Sequence, residues 1–202
     1  ADFPLKWTVA GMDKLIDTGI NAVITNQRAI PSYLLEPKIK NRSRMFYQMA
    51  NIEAANVKGE NNWALLLDPD GFIAEGSGDN IFFVKDGVVI TPEPRNILVG
   101  ISRDYVIEIC GSLGIPCKEK NIEPYEAYTA DESFMTATPF CLLPVGKVNG
   151  YEMEHGVLGP ITKAIHDEWS KRVGLDIFKQ IRSFSSEVQE LSRNHATPYQ
   201  FN

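Results

Sequence analysis

Few stretches of this 202-residue chain place reactive side chains at spacings that could do chemistry. Lys40 ends the run Lys38-Ile39-Lys40 just ahead of a helical pattern, where a side chain can project from a strand end into a cleft. Desolvation there disfavours the ammonium form and would give a nucleophilic amine. A lysine before a helix is more often simply solvated, and Lys38, two residues earlier, is its rival. The Gly-rich stretch Glu75-Gly76-Ser77-Gly78-Asp79-Asn80 invites a nucleotide reading. Such a loop follows a strand and opens a helix, where backbone N–H groups and the helix dipole meet phosphate. Here Ile81-Phe82-Phe83-Val84 follow, and these read as a strand, so the stretch is a tight strand-to-strand connection. His155, His166 and His195 are scattered, none near a Ser or Cys in a nucleophile setting, and read as solvated or core residues. Glu152 and Glu154 alternate on an exposed strand face and are not an acid–base pair. Cys110, Cys117 and Cys141 are odd in number, widely spaced and without metal-ligand partners, which predicts three reduced thiols and no metal site.

The elements that must position these residues follow from periodicity. Val9–Ile16 is half an amphipathic helix and Ala22–Thr25 a short strand, broken by Ile30-Pro31-Ser32. Residues 42–57 predict a helix, with Met45, Met49, Ile52 and Ala55 at three- and four-residue spacing and Gly59 after its end. Trp63–Leu67 and Gly71–Ala74 flank the turn Asp68-Pro69-Asp70-Gly71, and Asn80–Val84 and Val88–Thr91 flank Lys85-Asp86-Gly87, giving two hairpins. Gly100–Leu113 reads as a helix with Ser102 as N-cap. Ile115–Glu119 is a strand, Tyr125–Ala130 a short helix and Glu132–Ala137 a strand. Leu142–Val148 and Tyr151–Met153 flank an Asn149-Gly150 turn, and Pro160–Val173 is a helix. The fold class is α+β: antiparallel hairpins with helices outside. Residues 1–36 read as a connector, 37–180 as the main domain and 181–202 as a polar C-terminal tail.

Composition excludes several functions. Hydrophobic residues make up 44% and charged residues 23%, as in a folded globular chain. With 20 basic and 26 acidic residues the net charge is −6, and no Lys/Arg run exceeds two. That gives no basic footprint for nucleic acid or an anionic membrane. No apolar stretch approaches a membrane span and the N-terminal residues do not read as a signal peptide, so the expected location is the cytoplasm.

Taken together, the segments carry a pattern. Glu53 lies thirteen positions after Lys40. Then come Glu75-Gly76-Ser77-Gly78-Asp79-Asn80-Ile81-Phe82, Val89-Ile90-Thr91, Leu98-Val99-Gly100-Ile101-Ser102-Arg103 and finally Phe134-Met135-Thr136-Ala137-Thr138-Pro139-Phe140. This resembles the class IV aminotransferases, the pyridoxal-phosphate enzymes that include the branched-chain and D-amino-acid aminotransferases. The family pattern is a Glu, a small residue two on, an Asn three further, an apolar–aromatic pair, a Thr after a strand and a Leu-x-Gly-Ile-x-Arg/Lys block. The chain meets every position from Glu75 to Arg103, and the likeness runs from about Lys38 to Val173.

The resemblance implies a fold-type IV domain, a pseudo-barrel of antiparallel hairpins packed with helices. It implies transamination between an amino acid, branched-chain type favoured, and a 2-oxo acid. Lys40 would hold pyridoxal phosphate covalently and, once displaced, move the substrate Cα proton. Glu75 would face the ring nitrogen, Leu98 would pack on the ring, and Ile101 and Ser102, with Thr138, would cradle the phosphate. Arg103 would be a structural pairing residue. Pro139 and Phe140 fall on the substrate-carboxylate loop, where Pro139 offers no N–H and Phe140 would narrow the pocket. The same scaffold serves D-amino-acid and (R)-amine transaminases and aminodeoxychorismate lyase, and a non-catalytic cofactor-binding or assembly fragment is the alternative of another class. Family members also carry an N-terminal domain that supplies a phosphate-binding arginine. Only some forty residues precede Lys40, Arg28 being the one arginine among the first 36, so that domain is expected to be missing from this stretch. A homodimer or larger homo-oligomer is expected.

Overall fold

The computed structural model describes residues 5–41, 43 and 45–194. In chain order the helices are α1 (Leu5–Val9), α2 (Asp13–Thr18), α3 (Met45–Ala55), α4 (Ile101–Leu113), α5 (Pro124–Tyr128), α6 (Pro160–Val173) and α7 (Ile177–Asn194). The strands are β1 (Ile20–Arg28), β2 (Asn62–Leu67), β3 (Ile73–Gly76), β4 (Asn80–Lys85), β5 (Val88–Pro92), β6 (Cys117–Lys120), β7 (Glu132–Ala137), β8 (Cys141–Val148) and β9 (Tyr151–Glu152). A 3₁₀ turn, Pro37–Ile39, precedes Lys40.

One nine-stranded sheet has the order β3-β2-β1-β8-β7-β4-β5-β6, with β9 on β8. The predicted hairpins β2–β3, β4–β5 and β8–β9 are all antiparallel pairs of this sheet. The sheet is mixed, however, because β1 runs parallel to β2 and β8, and β5 runs parallel to β6. It curls so that its two ends approach: Ile73 N–H of β3 donates to the Ile122 carbonyl beyond β6 at 2.8 Å. The result is the expected α+β half-barrel with helices packed on it.

The described part of the expected connector, residues 5–36, carries α1, α2 and β1. Ile20–Arg28 forms β1 in the middle of the sheet. Only Ala22–Thr25 looks like a strand in sequence, because a polar Asn21 sits within the run. Its amide is satisfied where it is buried: Nδ2 donates to Asn62 Oδ1 at 2.7 Å, and Oδ1 accepts the Gly150 N–H at 2.9 Å. Gly19 delivers the chain into β1 by close backbone contact, since a Cβ there would lie 2.5 Å from the Gly146 nitrogen.

Residues 181–194 belong to helix α7 rather than to a tail, and Ile181 is buried in the main core. The rest of that predicted tail, with His195, lies outside the described residues. Helix α3 turns the opposite way to the sequence expectation. Tyr47, Ala50 and Ala54 face the sheet, while Met45, Met49 and Ile52 are exposed. Both faces carry helical spacing, so periodicity alone did not choose between them.

Candidate functional site

The site is built where several segments of the chain meet. The 3₁₀ turn brings Lys38 and Lys40, β3 brings Glu75, the β5–α4 loop and the first turn of α4 bring Leu98 to Ser102, and the β7–β8 turn brings Thr138 and Pro139. Together they line a cavity of ≈ 560 Å³, within the size range of small-molecule sites.

Lys40 ends the 3₁₀ turn in the left-handed region, φ 50° and ψ 53°, with its N–H bonded to the Pro37 carbonyl at 3.1 Å. A non-glycine residue there is uncommon, and such conformations cluster at functional sites. The expected extended run is therefore a turn, and Lys40 is solvent-exposed rather than sealed in the cleft. Among the described residues its amine has no hydrogen-bond or ion-pair partner, whereas Lys38 is paired to Glu36 at 2.8 Å. Glu53, thirteen residues on, is structural: its Oε2 accepts the Asn26 N–H at 2.6 Å and ties α3 to β1.

Glu75 is 4% exposed, and both carboxylate oxygens are held. Tyr47 Oη donates a short hydrogen bond to Oε1, and the Leu98 N–H donates to Oε2 at 2.8 Å. Two donors stabilise the ionised form of a buried carboxylate and fix its direction. Sequence reasoning missed Tyr47. The available signal was its place on an i, i+3, i+7 face with Ala50 and Ala54.

Helix α4 begins at Gly100, which makes no side-chain cap, so Ser102 is not the N-cap but the second helical residue. The first helical bond runs from Asp104 N–H to the Gly100 carbonyl at 3.0 Å. The N–H groups of Ile101, Ser102 and Arg103 thus have no intrahelical acceptor, and the positive end of the dipole lies at the cavity wall. Arg103 points away. It is 1% exposed and donates to the Pro92 carbonyl at 2.9 Å and to Glu119 at 2.7 Å, pinning α4 to β5 and β6.

Phe140 does not narrow the cavity. It is buried, packs edge-on against Trp63 with ring centroids 6.0 Å apart, and leaves Pro139 as the wall residue of that turn. Asp79, which sequence reasoning passed over, also lines the cavity. Among the described residues no group of His, Cys, Asp and Glu could hold a metal, and no helix is long and apolar enough to cross a membrane.

The arrangement offers a free amine, a fixed carboxylate and an open helix N-terminus around one cavity. Proteins built in the same way are well represented. A branched-chain-amino-acid aminotransferase of Pseudomonas aeruginosa is 40% identical over 109 residues, 54% of this chain and 36% of that enzyme. The Salmonella typhimurium enzyme of the same name is 35% identical over 152 residues, covering 74% of this chain and 48% of that one. The crystal structure of the branched-chain amino acid aminotransferase from Thermobaculum terrenum, in its PLP-form, superposes with a TM-score of 0.72 at 32% identity, over 83% of this chain and 53% of that one. The chain spans about half or less of the length of these relatives. Residues 4–148 match the amino-transferase class IV family, and the chain belongs to that family.

Proposed function

We propose that this chain is the cofactor-binding part of a pyridoxal-phosphate-dependent transaminase that moves an amino group between a branched-chain amino acid and a 2-oxo acid. The observation that carries the reading is the convergence of Lys40, the doubly anchored Glu75 and the uncapped start of α4 on one ≈ 560 Å³ cavity. The donor set fits the cofactor: an amine for its carbonyl, a carboxylate for its ring nitrogen, and free N–H groups for its phosphate. Related structures support the choice, since a branched-chain amino acid aminotransferase 31% identical to this chain was solved in complex with N-(5'-phosphopyridoxyl)-L-glutamate.

Bound there, pyridoxal phosphate would supply a carbonyl that captures amines and a ring that accepts electrons from the substrate Cα. The chain's own residues divide the remaining work. Lys40 Nζ would hold the cofactor at rest and, once released, would move the proton away from the substrate Cα, acting as general base and then as general acid. Glu75, oriented by Tyr47 and Leu98, would face the ring nitrogen and hold a proton on it. The Ile101 and Ser102 N–H groups would bind the phosphate, and the Ser102 and Thr138 side chains belong to residues lining the same cavity. Leu98 and Pro139 close the cavity with apolar surface. Outside the site, Tyr33, Leu34, Ile39, Met45 and Met49 are exposed apolar side chains around the Lys40 turn and α3. They suit contact with a second subunit, and a homodimer or larger assembly is part of the proposal.

Titration with pyridoxal phosphate, borohydride reduction and peptide mapping test the reading. The expected label is on Lys40, and Lys40→Ala should lose it while keeping its circular dichroism spectrum. A label on Lys38, or none on the folded chain, overturns the assignment.

A further inference from the structure

Asp79 lies four residues after Glu75, where the chain turns from β3 into β4. The Gly76 N–H closes this turn on the Asp79 carbonyl at 3.0 Å. The Asp79 side chain folds back over the glycine so closely that a Cβ at position 76 would lie 2.0 Å from Oδ1. A second carboxyl is thereby set on the cavity wall with Glu75. The two are unequally provided. Glu75 accepts from Tyr47 and from Leu98, whereas Asp79 Oδ1 is sealed from solvent and has no hydrogen-bond partner among the described residues. An ionised carboxylate with a sealed, unpartnered oxygen near another carboxylate is costly, and protonation removes the second charge. Burial first, then the Glu75 charge, push the Asp79 carboxyl up to about 8, against a smaller pull from the Gly78 N–H. Among the described residues the other titratable groups on the cavity wall are Lys38 and Lys40 from the 3₁₀ turn and Tyr47 from α3; the lining parts of α4 and the β7–β8 turn bring none.

We propose that Asp79 is a positioning residue that stores a proton in the empty site and gives it up when a pyridine ring nitrogen is seated against Glu75. The inference rests on Glu75 being the partner of that nitrogen. The Asp79 O–H bond breaks, and the proton goes to the ring nitrogen if that nitrogen arrives neutral, or to solvent if it arrives protonated. In either case Asp79 ends as a carboxylate near a cation, and attraction replaces the repulsion between two carboxylates. Asp79 thus lets Glu75 be the only charged carboxylate of the empty site and adds a second counter-charge when the site is filled.

Proton counting separates this role from a structural one. The probe is 4'-deoxypyridoxine 5'-phosphate, which has the ring and phosphate but no aldehyde for Lys40. Calorimetric titrations in buffers of different ionisation enthalpy give the protons exchanged per ligand bound. A carboxyl titrating at about 8 is protonated in roughly 90% of molecules at pH 7. Binding by the wild-type chain should therefore release about 0.9 proton more, or take up about 0.9 fewer, than binding by Asp79→Asn. The difference should fall close to zero at pH 9.5, where Asp79 is already ionised in the empty site. Asp79→Ala, which also carries no proton, must show the same difference if the amide variant folds poorly. Equal proton counts in wild type and variants at pH 7 overturn the inference. The ¹⁵N shift of a ring-labelled ligand reports on Glu75 separately: an unprotonated bound ring in the wild-type chain refutes the Glu75 assignment, whereas a protonated ring with equal counts refutes Asp79 alone.

Discussion

Gly100→Ala tests how two separated parts of the site hold each other. Gly100 has φ −77° and ψ 140°, a conformation open to alanine, so backbone strain does not enter. The obstacle is steric. The new Cβ would lie 2.3 Å from Asn80 Oδ1, and real Cβ contacts do not fall below 3.0 Å, so the amide must retreat by at least their difference, 0.7 Å. Asn80 is 5% exposed and its Nδ2 donates to the Leu98 carbonyl at 2.8 Å. Stranding that carbonyl costs about 1–3 kcal/mol, and overpacking costs a further ~1–3 kcal/mol. A stiffer unfolded chain returns only ~0.4–1 kcal/mol. The expected net loss is about 1–5 kcal/mol, centred on ~3 kcal/mol, read by urea unfolding at 25 °C. Leu98 also donates its N–H to Glu75, so pyridoxal-phosphate affinity should fall with it. Asn80→Ala alone should cost about 1–3 kcal/mol through the lost bond. The double variant should be no worse than Asn80→Ala, because the obstructing amide is gone and the methyl enters its space. A Gly100→Ala chain within about 0.5 kcal/mol of wild type, or strictly additive losses in the cycle, would refute the reasoning.

Glu75→Gln should leave cofactor bound but slow a single-turnover half-reaction of the whole protein by orders of magnitude, since a neutral amide does not hold the ring proton; an unchanged rate removes Glu75 from its role. Arg103→Met should lower stability by about 2–3 kcal/mol, toward the low end for a buried charge because Glu119 is 42% exposed and rehydrates. Its cofactor affinity, measured where the variant is fully folded, should match wild type. Asp131 is pushed up by burial but pulled below its ordinary range overall by Lys85 and the Asp86 N–H. Its contribution to stability is therefore present above about pH 4 and is lost as the pH falls through the folded value. Asp131→Asn should flatten the acid limb of a stability–pH curve, and an unchanged limb would show that this carboxyl does not shape it.

The residues whose placement was legible in the sequence are those set by fixed chain distance. Glu75, Asn80, Leu98 and Gly100 to Arg103 lie on two tight connections, where one inserted residue would turn a strand's side chains to the other face or rotate a helix start away from the cavity. Spacing along the chain therefore carried their geometry, and the structure explains the Asn80 and Gly100 positions as one contact. Tyr47 and Asp79 were not legible, for different reasons. Tyr47 reaches Glu75 because α3 presents one of two equally periodic faces, a choice made by the sheet beneath it and not by the helix. Asp79 reads in sequence as a turn residue, a common place for aspartate, and only the folded hairpin shows its side chain turned back over Gly76 with one oxygen sealed. β1 was obscured by an Asn that needs two partners distant in sequence, Asn62 and Gly150, before its burial makes sense. Phe140 went wrong through the same limit: its position on the β7–β8 turn was right, but adjacency to Pro139 does not fix the side of the sheet its ring enters, and packing against Trp63 decided that. Local spacing thus specifies backbone-borne chemistry, such as the open start of α4, more reliably than chemistry that needs a side chain delivered from another element.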